Sequence, residues 1–125
     1  MLRTLLLIGL GGFLGSISRF LIALSINRIF QSVLPIGTLV VNIVGCLFIG
    51  IIYSLAEQKN IMSPELRVFL GVGFCGGFTT YSSFAFEKFS LIKSGDFLML
   101  SIYIGASVFL GLIAVYIGSQ IHKLF

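Results

Sequence analysis

The chain has 125 residues, of which 58% are hydrophobic and 10% charged, and its formal net charge is +4. A mean hydropathy of +1.14 places it among membrane proteins. One bilayer crossing uses about 20 apolar residues, so four crossings with short loops consume the length and exclude a soluble catalytic domain.

The eight basic residues are scattered singly between apolar runs, which suits anchors at a membrane surface and not a nucleic-acid-binding face. Arg3 opens the first span, Leu5 to about Leu24. A positive charge before an apolar core also begins a signal peptide. Here no clean small-x-small cleavage site follows and further spans come after, so the segment reads as retained. Its glycines, Gly9, Gly11, Gly12 and Gly15, do not make a dinucleotide-binding turn. The spacing is GxGxxxG, and the first acidic residue, Glu57, comes too late to hold a ribose. Gly11 and Gly15 suit a close helix contact instead. Arg19, near the end of the span, either snorkels to the interface or stands at the mouth of an anion pathway.

Ile26 to Leu34 forms a link, with Pro35 placed to open the next helix. The second span, Ile36 to about Leu55, is apolar except for Thr38 and Asn42, one turn apart on one face. Thr38 has the option of bonding its own preceding turn. Asn42 carries two amide donors and an acceptor into hydrocarbon, so it serves either as interhelical glue or as a ligand for something passing. A polar loop, Glu57 to Arg67, contains the helix start Ser63-Pro64-Glu65: a capping serine, a proline at the first position and an acid in the first turn.

The third span contains GVGFCGGFTTYSSFAFEKF, Gly71 to Phe89, and is expected to end near Glu87-Lys88. Gly76-Gly77 followed by the β-branched Thr79-Thr80 concentrates weak helix formers near its centre, each glycine costing about 1 kcal/mol against alanine. That predicts a break. Free carbonyls within a bilayer are tolerated only where protein, water or an ion satisfies them, so the break should face the interior of an assembly. Exposed carbonyls are what a desolvated cation wants. Gly73 and Gly77 also form a small-xxx-small pair, the mark of close packing, and the spacing fits both readings. Lys93 to Asp96 is the next turn, and the fourth span runs from about Phe97 to Ile121. On it Tyr103, Ser107 and Gly111 share a stripe that is polar or small, against a remainder of Leu, Ile, Val and Phe. Cys46 and Cys75 fall inside spans as small packing residues, and His122, the single histidine, sits in the tail.

Four crossings put Arg3, Lys59, Arg67 and Lys123 on one side, and Arg28, Lys88 and Lys93, with or without Arg19, on the other. Orientation follows Lys/Arg asymmetry, so this near balance permits insertion both ways and hence an antiparallel two-fold dimer. In that dimer the break would cross its own copy near the midplane.

The acids Glu57, Glu65, Glu87 and Asp96 all read as loop or span-end residues. A small proton-coupled drug exporter needs an intramembrane carboxylate, so its signature is missing. The spans offer neutral donors instead: Asn42, Thr79, Thr80, Ser82, Ser83, Ser107 and the phenol of Tyr81. These suit a small anion shedding its water, and aromatic C–H edges at Tyr81 and Phe84 carry the positive part of the ring quadrupole.

GGFTTYSSF, Gly76 to Phe84, resembles the third-span signature of the Fluc (CrcB) fluoride channel family, and the likeness extends to GTLVVNIVG (Gly37 to Gly45), the Arg19 region and YIGAS (Tyr103 to Ser107). The resemblance implies an all-α fold of four transmembrane helices forming one domain over residues 1–125. The third helix would be broken, and the assembly a dual-topology homodimer in the cell membrane. It further implies passive exit of fluoride through two pores and a structural Na+ held by the backbone carbonyls of Gly76 and Thr79 from both chains. Asn42, Tyr81, Phe84, Ser107, Thr38 and Tyr103 would line the fluoride path, with Arg19 near a vestibule. Tyr81 stands where the family usually has phenylalanine, and Gly111 where some members have serine. Some members are two-gene heterodimers, and such departures fit that arrangement too. The rival readings are the drug exporter and a non-conducting membrane assembly subunit.

Overall fold

The described chain folds into helices alone, and four stretches are long and apolar enough to cross a membrane: Leu2–Ile29, Ile36–Gln58, Pro64–Ser94 and Phe97–Leu124. The structure is a computed structural model that describes residues 1–31 and 36–124; the helix-opening role expected of Pro35 lies outside the described residues. The first helix, α1 (Leu2–Ile29), runs further than the hydropathy suggests, so Asn27 and Arg28 belong to it and not to the link. Asn27 still acts on the connection, because its Oδ1 accepts the Gly37 N–H at 2.9 Å and so satisfies one free donor at the start of α2 (Ile36–Tyr53). A π-helical turn, Ser54–Gln58, extends the second span.

The third crossing is assembled from pieces. Ser63 caps α3 (Pro64–Arg67) as its sequence announces, its Oγ accepting the Leu66 N–H at 3.2 Å. A π-helical stretch, Val68–Cys75, then leads into the single turn α4 (Gly76–Phe78). At Thr79 (φ −90°, ψ 157°) and Thr80 (φ −146°, ψ 121°) the backbone is extended, which is the expected break, two residues past the glycine pair. The helix restarts as α5 (Tyr81–Ser94), capped by the Thr80 hydroxyl on the Ser83 N–H at 3.2 Å. It ends at Gly95, whose φ of 77° is the left-handed conformation that favours glycine. Asp96 caps α6 (Phe97–Ser119), and a short 3₁₀ turn, Ile121–Leu124, closes the described chain.

One expectation changes. The third span does not end at Glu87-Lys88 but continues to Ser94, so both residues lie inside it, and Lys88 is only 5% exposed. Lys88 therefore leaves the loop-charge comparison, as does Arg19, which is turned inward. The basic residues flanking the spans then number four against two: Arg3, Lys59, Arg67 and Lys123 opposite Arg28 and Lys93.

Glycines set which helices touch. A Cβ on Gly15 would collide with the Phe74 carbonyl and lie 2.9 Å from the Phe78 nitrogen, and one on Gly77 would stand 2.5 Å from the Gly12 carbonyl. Gly11 and Gly73 meet in the same way, so α1 lies backbone to backbone against the first half of the third span. Gly50 and Gly118 do the same for α2 and α6, each against the other's backbone. Of the third-span glycines, Gly73 and Gly77 pack as their small-xxx-small spacing suggests, whereas Gly76 has nothing within 4 Å of its missing Cβ. Gly15→Ala is expected to destabilise the purified protein by about 1–3 kcal/mol. Gly9→Ala, where the added methyl meets nothing within 4 Å, should be neutral or slightly stabilising. Thermal unfolding followed by circular dichroism in one detergent checks the pair.

Candidate functional site

The break leaves backbone groups without ladder partners, and side chains from other helices take up some of them. Asn42 on α2 makes two bonds to one residue: its Nδ2 donates to the Thr80 carbonyl at 3.1 Å, and its Oδ1 accepts the Thr80 N–H at 2.9 Å. This pairing fixes the amide's orientation, since only one way round matches donor to acceptor. Asn42 is thus interhelical glue, and it retains a second N–H. Arg19 does not snorkel. It is half-buried, and its Nε donates to the Gly77 carbonyl at 3.1 Å. The Thr79 hydroxyl turns back to the Cys75 carbonyl at 2.9 Å.

Beside the break lies an open cavity of about 480 Å³. Gly76 and Thr79 line it with Asn42, Tyr81, Phe84 and Ser107, so six residues singled out in the sequence converge on one space. Cys46 and Cys75, free thiols expected only to pack, line it as well. Among the described residues Ser107 Oγ is buried without a hydrogen-bond partner, and Tyr81, 79% exposed, stacks on Phe84 with centroids 5.9 Å apart. No acidic or basic side chain among the described residues lines this cavity. Gly111 packs under it, where a Cβ would lie 3.4 Å from Cys46 Sγ.

Thr38 and Tyr103 lie elsewhere. Thr38 and Glu87 line a smaller pocket of about 390 Å³ with Ser82, Ser83 and Phe86. It also borders a pocket of about 200 Å³ that contains Arg19, Asn27 and Thr80. Tyr103, 2% exposed, reaches the cavity only through Phe84, their centroids being 6.2 Å apart. Between those two rings sits the Lys88 ammonium, 3.4 Å from the Phe84 centroid and 3.2 Å from that of Tyr103. His122 proves structural: its Nδ1 lies 2.8 Å from the Ser119 carbonyl and 2.9 Å from Ser54 Oγ.

Glu87 and Lys88 are the residues that hydropathy misplaces. A signal was present in Lys93-Ser94-Gly95-Asp96. Counting the helix from the break to its terminal glycine, rather than to the first charges, puts both residues about two turns inside.

A protein-family model described as "CrcB-like protein, Camphor Resistance (CrcB)" matches residues 6–119. A fluoride-specific ion channel FluC of Flavobacterium psychrophilum is 45% identical over 122 residues, covering 98% of each chain. One from Chlorobium phaeobacteroides is 48% identical over 119 residues, covering 95% of this chain and 92% of its own. A third, from Azobacteroides pseudotrichonymphae, is 41% identical over the whole of both chains. With similarity running through all four spans, this chain belongs to the CrcB family, whose members are membrane ion channels and not enzymes.

Proposed function

We propose that the chain is a passive fluoride-selective channel that works as an antiparallel homodimer in the cell membrane. The observation that carries this reading is the cavity beside the break, which among the described residues is lined by neutral donors and aromatic side chains and by no fixed charge. Ser107 contributes a buried hydroxyl without a hydrogen-bond partner among the described residues, and Asn42 one spare N–H. Fluoride is small and strongly hydrated. It sheds water only where hydrogen-bond donors replace it, and it leaves again only if no opposite charge traps it. The Tyr81 and Phe84 rims add C–H edges of positive potential. Its relatives' name, fluoride-specific ion channel, supports the choice of anion. Passive flow would run outward whenever HF enters from an acidic exterior and dissociates in the cytoplasm.

A single chain leaves the cavity open on the Gly76 side, which favours a second copy there. The four-against-two count of flanking basic residues is a small bias, compatible with insertion in both directions. Sodium fits the residues at that opening. The Thr80 N–H that would bond the Gly76 carbonyl goes to Asn42, and the Ser83 N–H that would bond the Thr79 carbonyl goes to the Thr80 hydroxyl. The carbonyls of these two cavity-lining residues therefore lack those helical partners and would be available to a cation, while Arg19 occupies the Gly77 carbonyl between them. Bound there, Na+ would supply charge to satisfy carbonyl dipoles at the dimer interface.

The exporter reading gains a carboxylate inside the span, but Glu87 lies with Thr38 in a separate pocket, and the family consists of channels. The assembly-subunit reading is favoured by one observation, the double bond of Asn42 to Thr80. Flux separates it from the channel.

Liposomes holding the purified chain alone should lose fluoride rapidly and chloride not at all under equal gradients. A well-folded dimer that releases no fluoride sinks the one-chain channel. Asn42→Asp should cut fluoride flux at least about a hundredfold, because a carboxylate about 4 Å from the ion costs about 4 kcal/mol at an effective dielectric of 20. Asn42→Ala orphans both Thr80 groups and should cost about 1–3 kcal/mol for each in thermal stability. Replacing NaCl by N-methyl-D-glucamine chloride should lower the melting temperature, since saturation at 100 times the dissociation constant is worth about 2.7 kcal/mol. A melting temperature that ignores sodium removes the ion from the proposal.

A further inference from the structure

Lys88 is unlike any other basic residue in the chain. It is 5% exposed, lies inside the third span, and its Nζ has no hydrogen-bond partner among the described residues. A desolvated ammonium costs several kcal/mol unless something compensates it, and here two aromatic faces do so. Glu87 is its sequence neighbour, yet adjacent side chains on a helix diverge, and the one ion pair among the described residues is Arg67–Glu57. A positive charge is therefore held in place chiefly by ring faces.

One of those rings is Phe84, which lines the main cavity. The ammonium lies over the ring, 3.4 Å from its centroid, and Tyr81 stacks on the same ring with centroids 5.9 Å apart, an arrangement that would leave mainly the C–H rim to the cavity. A cation on an aromatic face draws π density toward itself and leaves the rim hydrogens more positive. The same charge attracts an anion at the rim directly, through a medium of low dielectric. Because the ring stands between them, the anion never touches the ammonium and is not trapped by contact.

We propose that Lys88 is a positioning residue for anion affinity, polarising Phe84 so that its rim binds fluoride in the cavity. The proposal rests on the fluoride-channel reading. Tyr103 clamps the ammonium from the opposite side and so holds the charge against Phe84.

The test is fluoride efflux from liposomes over a range of fluoride concentrations, for the full chain and for Lys88→Met, Lys88→Arg, Phe84→Leu and the Phe84→Leu/Lys88→Met pair. Lys88→Met, similar in length and without charge, should raise the half-saturating fluoride concentration about tenfold, and Lys88→Arg should restore most of the affinity. In the Phe84→Leu background the same change should shift affinity less than about twofold, because the ring that transmits the charge is gone. A purely structural lysine would reduce the fraction of active protein and leave half-saturation where it was, which would overturn the proposal. An equal shift in both backgrounds would overturn it too, showing that the charge acts without the ring. Should Lys88→Met fail to purify as a folded species, Lys88→Gln and the Arg variant carry the comparison. If the unsubstituted chain itself passes no fluoride, it is the channel reading that fails.

Discussion

The structure depends on one constraint: a helix interrupted inside hydrocarbon must have its free backbone groups satisfied from elsewhere. Thr79 and Thr80 are extended in the middle of the third crossing. Much of the remaining polar inventory is arranged around that fact. Asn42 bonds both the N–H and the carbonyl of Thr80, Arg19 covers the Gly77 carbonyl, and the Thr80 hydroxyl caps the helix that follows. What these residues leave uncovered is as informative as what they cover. Gly76 and Thr79 line a cavity together with Asn42 and with Ser107, whose buried hydroxyl has no hydrogen-bond partner among the described residues. The residues that repair the break and those that would serve an ion are in part the same. Structure and transport are therefore hard to separate by single substitutions, and affinity is a better readout than rate.

The glycines serve a second constraint. Hydrocarbon gives helices no hydrophobic reason to associate, so association rests on close van der Waals approach. Gly11, Gly15, Gly73 and Gly77 let α1 lie directly on the first half of the third crossing, and Gly50 and Gly118 join α2 to α6. With these backbones in contact, bulky side chains point away. Much of the outer surface is accordingly Leu, Ile, Val and Phe, as lipid requires.

The spans, their order, the break and the packing role of Gly11 and Gly15 were legible in the sequence, because each depends on local propensity or on transfer from water. So was the convergence of Asn42, Tyr81, Phe84 and Ser107. The end of the third span was not legible to hydropathy, which scores Glu87 and Lys88 by their cost of leaving water. For Lys88 that cost is offset by two ring faces, which is a tertiary fact. Arg19 was open between two readings for the same reason: its partner is a carbonyl 58 positions away that is free only because the helix is broken. Dual topology, which drew on loop charges, loses some of its arithmetic once Lys88 and Arg19 are found inside.

The contacts with glycine on both helices pair the first crossing with the third and the second with the fourth, whereas between the first and second crossings the glycine contact comes from Gly37 alone, whose Cβ would stand 2.7 Å from the Ala23 carbonyl. This interleaving bears on how the protein is made. Among the described residues no two consecutive crossings meet glycine to glycine, so each early helix makes only part of its close contacts before a later partner is synthesised. Assembly is held back until the last helix arrives, and a nascent chain stalled after its second crossing would expose glycine grooves to quality-control proteases.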